Sequence, residues 1–144
     1  MRLKVLAASA ALFTFIAGAA CAATLHFTAT LSAADEVPAN DSKGVGTVSA
    51  TLDTATKAFE YTVTYSGLTG PASMAHFHGP AMAGANAGPV LPVPAAAVAA
   101  NPIHGTATLT DAQVADLTAG KWYFNIHTAA HGGGEVRGQL KAAP

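Results

Sequence analysis

The sequence predicts an all-β fold: an antiparallel Greek-key β-sandwich or barrel with one short helix. Apolar and polar residues alternate in many short runs, with the period of half-buried strands. Turn-forming Gly, Pro, Asn and Asp residues separate these runs at short intervals. Of the 144 residues, 51% are hydrophobic and only 10% are charged. That composition excludes a disordered chain and supplies a core for one domain.

The composition also excludes several functional classes. The formal net charge of −1 leaves no basic stripe for nucleic-acid binding. One cysteine cannot form a disulfide framework or a cysteine zinc finger. The sequence contains no G-x-S-x-G elbow, no H-E-x-x-H motif and no P-loop. We therefore expect none of the catalytic activities for which these three motifs are typical.

The N-terminus is typical of a secretory signal peptide covering residues 1–22, followed by one domain over residues 23–144. Arg2 and Lys4 precede an uncharged apolar run, and Ala20-Cys21-Ala22 fits a signal cleavage site. The run is shorter than the roughly 20 residues that span a membrane. We expect a periplasmic or secreted protein that has no membrane span after cleavage.

Cys21 allows an alternative, which is lipid anchoring at a new N-terminus. Lipoprotein signals prefer Leu three residues before the cysteine, and Gly18 stands there instead. Cleavage after residue 22 would leave five basic and eight acidic residues, a formal charge of −3, and no cysteine. Such a domain must be stabilised by its core, because it has no disulfide.

The strands and the helix follow from local patterns. Thr110 and Gln113 form a capping box, and Gly120 stands where a helix commonly stops, which predicts a helix over 111–119. The Ala-, Gly- and Pro-rich stretch 81–103 is long enough to be functional or mobile. Within it we expect an edge strand around Val93 and a helical turn over 95–100. The predicted strands are 25–31, 45–52, 58–65, 73–78, 103–109, 121–128 and 135–140, with the second and third paired as a hairpin.

Two motifs carry a family resemblance. They are AHFHGPA at 75–81 and GKWYFNIHTAAHGGGEVRGQL at 120–140, with GTATLTD at 105–111 between them. This pattern resembles the CHRD domain, named after the extracellular protein chordin, over about residues 25–141. The resemblance implies an extracellular or periplasmic β-domain of immunoglobulin-like or superoxide-dismutase-like form. The alternative function that it implies is protein–protein interaction at the cell surface. Gly132-Gly133-Gly134 replaces the Pro-Gly-Gly that is usual in the family.

Three histidines form the candidate metal site. His76 and His78 share one strand face, whereas Phe77 points the other way, into the core. His127 lies on the polar face of another predicted strand, beside Asn125. Neighbouring strands can bring three imidazoles together, and imidazoles suit copper, nickel or zinc. Among these metals we expect copper to be the one bound.

The H-x-H strand is similar to that of copper–zinc superoxide dismutases. The bridging histidine, the aspartate and the disulfide of those enzymes have no identifiable counterparts here. A mononuclear copper site therefore remains, and a copper-dependent redox enzyme of that type is the alternative to a binding module. The candidates for a fourth ligand are Met74, Met82, His104 and His131.

A structural interpretation of the histidines competes with metal binding. A strand histidine often pins a loop through one ring nitrogen, and His78 precedes the long loop. His26 is expected on a solvent-facing strand surface, and Trp122 in the core. Glu135 and Arg137 are two residues apart, so we expect them to form an ion pair along an exposed sheet edge. The functional alternative is that they guide an anion electrostatically towards the metal.

Overall fold

The computed structural model describes residues 22–144, so the predicted signal peptide, Cys21 included, lies almost wholly outside the described residues. The all-β prediction is confirmed: the seven listed strands and the expected edge strand form, the latter at 89–92, and a further strand forms at 141–143. The strands are β1 (Thr24–Ser32), β2 (Val45–Asp53), β3 (Ala58–Ser66), β4 (Ala72–His78), β5 (Pro89–Pro92), β6 (Ile103–Thr108), β7 (Tyr123–Thr128), β8 (Val136–Gln139) and β9 (Lys141–Ala143), and the helices are α1 (Ala95–Val98) and α2 (Asp111–Thr118), with a 3-10 turn at Ala33–Asp35.

The strands form one antiparallel sheet in the order β5-β4-β7-β8-β1-β2-β3-β6, and β9 pairs with β1. The sheet curls, because side chains of β3 and β4 meet although four strands separate them in this order. The ring centroids of Phe59 and Phe77 are 5.4 Å apart, and those of Tyr61 and Phe77 are 4.9 Å apart. The two halves of the sheet therefore enclose an aromatic core, in which Trp122 is fully buried as predicted.

Period-two alternation places the core residues. In β1, Phe27, Ala29 and Leu31 are buried, and the residues between them are exposed. The register sets Phe27 opposite Ala50 and Ala50 opposite Tyr61, so apolar side chains of three strands line up on one face. Removing this face from water is the main contribution to the stability of the sheet.

Helix α2 has the predicted caps. Gln113 N donates to Thr110 Oγ1 at 3.2 Å, and Thr110 N donates to Gln113 Oε1 at 2.9 Å, which completes the capping box. Gly120 adopts φ +70°, a conformation that glycine accepts without steric cost. Leu117 is fully buried and fixes α2 on the core.

The half-sheet β4-β7-β8 is covered on both faces. Its inner face is apolar and belongs to the core. Its outer face, here called the polar face, is covered by the loops 33–44 and 79–88. Asn86 Nδ2 donates to Val37 O at 2.9 Å, which joins the two loops. The polar face carries Met74, His76, His78, Tyr123, Asn125, His127, Arg137 and Gln139.

The long loop is tied down at several points. In its first part, Gly79 N donates a hydrogen bond to Gly88 O at 3.2 Å, which joins the two ends of the segment 79–88. Ala81 N donates to Lys121 O at 2.8 Å. The expected edge strand forms as β5, a few residues before Val93, and the expected helical turn forms as α1. Among residues 22–144, no helix combines the length and the apolar character that crossing a bilayer would require.

Candidate metal centre

Strand register brings the three predicted histidines together. Strands β4 and β7 are antiparallel neighbours, with Met74 opposite His127, His76 opposite Asn125 and His78 opposite Tyr123. His76 and His127 are therefore diagonal neighbours on one face, within reach of each other's rings. Because His78 follows two residues after His76, its side chain emerges on the same face.

The three imidazoles converge on one small volume. One nitrogen from each of His76, His78 and His127 lies within 4.8 Å of the other two. His76 Nδ1 and His127 Nε2 are 3.2 Å apart. The ring centroids are 5.1 Å apart for His76 and His127 and 5.5 Å apart for His76 and His78. Such spacing is what three ligands of one ion need after a small adjustment of side-chain rotamers.

Backbone carbonyls orient two of the rings. His127 Nδ1 donates to Gly132 O at 3.0 Å, and His78 Nδ1 donates to Ala87 O at 2.9 Å. Each bond fixes the tautomer and leaves Nε2 as the unprotonated nitrogen, as second-shell partners of metal-binding histidines do. In His127 that nitrogen faces His76 Nδ1 at 3.2 Å. His78 Nε2 is buried and has no hydrogen-bond partner among the described residues. The loop-pinning bond of the structural interpretation is thus present, and it still leaves a nitrogen for another role.

The site favours neutral imidazoles. Burial lowers the pKa of His76, and the neighbouring His127 and His78 lower it further. Burial also lowers the pKa of His127, an effect that the bond to Gly132 partly opposes. A neutral imidazole is the form that binds a metal, and burial favours this form in His76 and His127.

A stacked column supports the cluster from one side. The rings of His78 and Tyr123 are stacked, with centroids 4.8 Å apart. The guanidinium carbon of Arg137 lies 3.4 Å from the centroid of Tyr123. Arg137 Nη1 donates to Asn86 Oδ1 at 2.8 Å, and Nη2 donates to Ala85 O at 2.6 Å. Arg137 therefore fastens the loop 79–88 beneath the histidines.

The candidates for a fourth ligand are distributed over the surface. Met74 is 48% exposed and lies opposite His127, at the rim of the cluster. Met82 is 61% exposed in the loop 79–88. His104 is exposed on β6, where its Nδ1 is 3.0 Å from Thr62 Oγ1. His104 and His131 are not part of the histidine group among the described residues.

The expected pair of Glu135 and Arg137 does not form, and neither residue lies at an exposed edge. Glu135 is fully buried and accepts hydrogen bonds from Ser42, Thr69 and Thr128. Strand β8 is an interior strand of the sheet, and Glu135 immediately precedes it. Arg137 binds the loop 79–88 instead of Glu135. Since Arg137 is only 2% exposed, it is poorly placed to guide anions from solvent.

Asn125 is a polar residue of the site that the sequence reasoning did not single out. It is 3% exposed, lies opposite His76, and its Oδ1 has no hydrogen-bond partner among the described residues. The period of β7 could have indicated it, because Asn125 shares the face of His127. The carbonyls of Ala87 and Gly132 left no such signal, because any residue can supply a backbone oxygen.

Comparison with known proteins places the chain in a family. A search of curated proteins and a search of solved structures each find no match. The family model of the CHRD domain matches residues 27–140, which include all three histidines and every strand except β9 in whole or in part. That match covers most of the chain and agrees with the resemblance of the two motifs. The chain therefore belongs to the CHRD domain family.

Proposed function

We propose that this chain is an exported CHRD module that binds one transition-metal ion, copper first, through His76, His78 and His127. One observation carries the proposal. Three imidazoles present nitrogens within 4.8 Å of one another, and two of the rings are held through Nδ1 by backbone carbonyls, which leaves Nε2 as their unprotonated nitrogen. Three protein ligands with an open position are the usual arrangement of a reactive or exchangeable metal site.

The unpaired nitrogen of His78 argues against a purely structural cluster. A buried polar atom without a partner costs roughly 1–3 kcal/mol of stability. A cluster kept only for loop pinning would gain nothing from that nitrogen, since Ala87 O already binds the other one. A bound ion would relieve the cost.

The donor set supports copper. The cluster contains neither a thiolate nor a carboxylate among the described residues, and neutral imidazoles suit copper, nickel and zinc. Copper(II) forms the strongest complexes of the divalent ions with a given set of nitrogen ligands. The thioether of Met74 at the rim adds a soft donor of the kind that copper(I) prefers.

Export is supported by the sequence. Residues 1–22 have the charged start, apolar run and small-residue cleavage site of a signal peptide. A periplasmic or secreted location follows from cleavage, and lipid anchoring through Cys21 is the alternative. Mass spectrometry of the N-terminus of the exported protein distinguishes a free Ala from a lipidated Cys.

Metal titration tests the binding proposal. Protein purified without a His tag is titrated with Cu²⁺ and with Zn²⁺ and followed by calorimetry. We expect one ion per chain, with Cu²⁺ bound more tightly. His78→Ala and His127→Ala should each weaken binding by at least about tenfold, since each removes one of three ligands. His104→Ala, on the far side of the sheet, is the matched control and should bind as the unmodified protein does. Equal affinity in all four proteins would disprove the site.

A redox enzyme is the second candidate. The rim position of Met74 and the partial exposure of His76 leave one side of the cluster open to a small molecule. A superoxide-dismutation assay on the copper-loaded protein decides between the two. Binding without turnover supports the module, and turnover that His78→Ala abolishes supports the enzyme. Pull-down from envelope extracts addresses the third possibility, a protein partner at the cell surface.

A further inference from the structure

Asn125 lies on the polar face next to two of the three histidines, His76 and His127. It is opposite His76 in the register, which places their Cβ atoms about 4.5–5.5 Å apart. On its own strand it lies between Tyr123 and His127, each about 7 Å away on the same face. The diagonal from His76 to His127, the closest pair of the cluster, therefore passes beside Asn125.

The amide oxygen of Asn125 is a second unpaired polar atom at this spot. Asn125 is 3% exposed, and its Oδ1 is buried without a partner among the described residues. Four buried side-chain atoms of the described chain lack a partner, and three of them, His78 Nε2, Asn125 Oδ1 and Gln139 Oε1, lie on the polar face. Of these three, His78 Nε2 and Asn125 Oδ1 belong to β4 and β7, the strands that carry the histidines. Each costs stability in the metal-free protein, and a ligand shared by these two would satisfy both.

We propose that Asn125 is a fourth member of the metal centre, with its amide oxygen contacting the bound ion from the sheet side. This inference rests on the proposed metal binding. The three imidazoles come from β4 and β7, and Asn125 would supply its oxygen from the same face of β7.

An oxygen at this position would bias the oxidation state of copper. Amide oxygen is a harder ligand than imidazole or thioether, so its contact stabilises copper(II) more than copper(I). Loss of the oxygen should therefore weaken Cu(II) binding while leaving Cu(I) binding nearly unchanged. The reduction potential of the bound copper would rise as a result.

Asn125→Leu tests the proposal because it separates the metal from the fold. Leu has a similar size and removes an unpaired buried oxygen, so the metal-free variant should be as stable as the unmodified protein or more so. Its affinity for Cu²⁺ should fall about tenfold or more, and its affinity for Cu⁺ should stay within about threefold. A tenfold change in the ratio of the two affinities is a rise of about 59 mV in potential. Unfolding in urea, competition titrations with each ion and voltammetry measure these quantities.

Two further variants complete the experiment. Asn125→Asp keeps an oxygen, so it should bind Cu²⁺ at least as tightly as the unmodified protein. Asn101→Leu, the matched control, removes hydrogen bonds to Tyr65 far from the cluster. It should lower stability and leave both affinities unchanged.

The outcomes separate this inference from the proposed function. If the unmodified protein binds Cu²⁺ and Asn125→Leu binds it equally well, the role of Asn125 is wrong and the three-histidine site stands. Loss of Cu²⁺ binding in Asn125→Asp would also overturn the role of the oxygen. If the unmodified protein fails to bind Cu²⁺, the proposed function and this inference fail together.

Discussion

The rings of His78 and Tyr123 lie nearly parallel, 7° apart in orientation, and both residues bind the same backbone oxygen. Ala87 O accepts from His78 Nδ1 at 2.9 Å and from the Tyr123 hydroxyl at 3.1 Å. Ala87 N in turn donates to that hydroxyl at 3.2 Å. One loop residue therefore sets the orientation of a candidate ligand and of the aromatic ring that supports it.

Tyr123→Phe removes the hydroxyl and keeps the stacked ring. We expect a loss of about 1–2 kcal/mol in the free energy of unfolding, because Ala87 N loses its acceptor inside the loop. Affinity for Cu²⁺ should fall less than tenfold, since His78 retains its bond to Ala87 O. Urea unfolding and calorimetry measure the two effects. Tyr65→Phe, whose hydroxyl makes one long bond of 3.4 Å to Val98 O, is the control and should change stability by less than about 0.5 kcal/mol. Equal effects of the two variants would contradict the role of Ala87.

Arg137→Lys should loosen the loop 79–88. A lysine cannot make both bonds, to Asn86 and Ala85, while lying flat on Tyr123. We expect the free energy of unfolding to fall by about 2–3 kcal/mol, and amide hydrogen exchange over residues 81–88 to become faster. The control is the opposite substitution on β9, Lys141→Arg. It alters an exposed side chain and should have little effect on stability or on hydrogen exchange. Unchanged exchange in the loop would show that Arg137 does not hold it.

Glu36→Gln should stabilise the protein at high pH. Burial raises the pKa of Glu36 to about 7, against the opposing effect of the nearby Arg137. Because the folded protein holds this proton more tightly than the unfolded chain, stability falls as pH rises from 4.5 towards 7. Removing the carboxylate should therefore raise the free energy of unfolding by as much as about 3 kcal/mol above pH 7, and by almost nothing at pH 4. Urea unfolding at pH 4 and pH 8 tests this, with the exposed Glu60→Gln as the control. A gain that is equal at both pH values would refute the explanation.

Glu135→Gln should have the opposite pH dependence. Burial alone would raise the pKa of Glu135, but hydrogen bonds from Ser42, Thr128 and Thr69 outweigh it and lower the pKa to about 2. The ionised form stabilises the fold above pH 4.5, and this contribution disappears as pH falls towards 2. We expect the free energy of unfolding of the variant to be lower by about 3 kcal/mol at pH 7 and by much less at pH 3. Ser42→Ala, which removes one of these donors, should lose about 1 kcal/mol. A pH-independent loss in Glu135→Gln would rule out the charged hydrogen bonds as its cause.

Much of the fold was predictable because its signals are local. The alternation in Phe27, Ala29 and Leu31 fixes both the strand and the side that is buried. The capping box of Thr110 and Gln113 gives the start of α2 to the residue. The same two-residue period put His76 and His78 on one face before any strand pairing was known.

The pairing of Glu135 with Arg137 was predicted wrongly for a physical reason. Two residues on one strand face can meet only if nothing closer satisfies them. Glu135 is satisfied by hydroxyl groups of distant segments, and Arg137 by a carbonyl and an amide of the loop 79–88. Apart from Thr128, which lies 7 residues before Glu135, those partners lie 51 to 93 residues away in the chain, beyond the reach of spacing arguments.

By itself, the sequence determined the all-β class, the strand faces, the family and the three histidines, because each is written in short-range pattern or motif. Only the tertiary structure decided that β4 lies beside β7, so that His76 meets His127 across 51 residues. It alone also decided that the carbonyls of Ala87 and Gly132 orient the rings of His78 and His127 and that Asn125 is buried opposite His76. Strand neighbours are selected by the packing of the whole core, and backbone oxygens are the same in every residue, so neither can be read from local sequence.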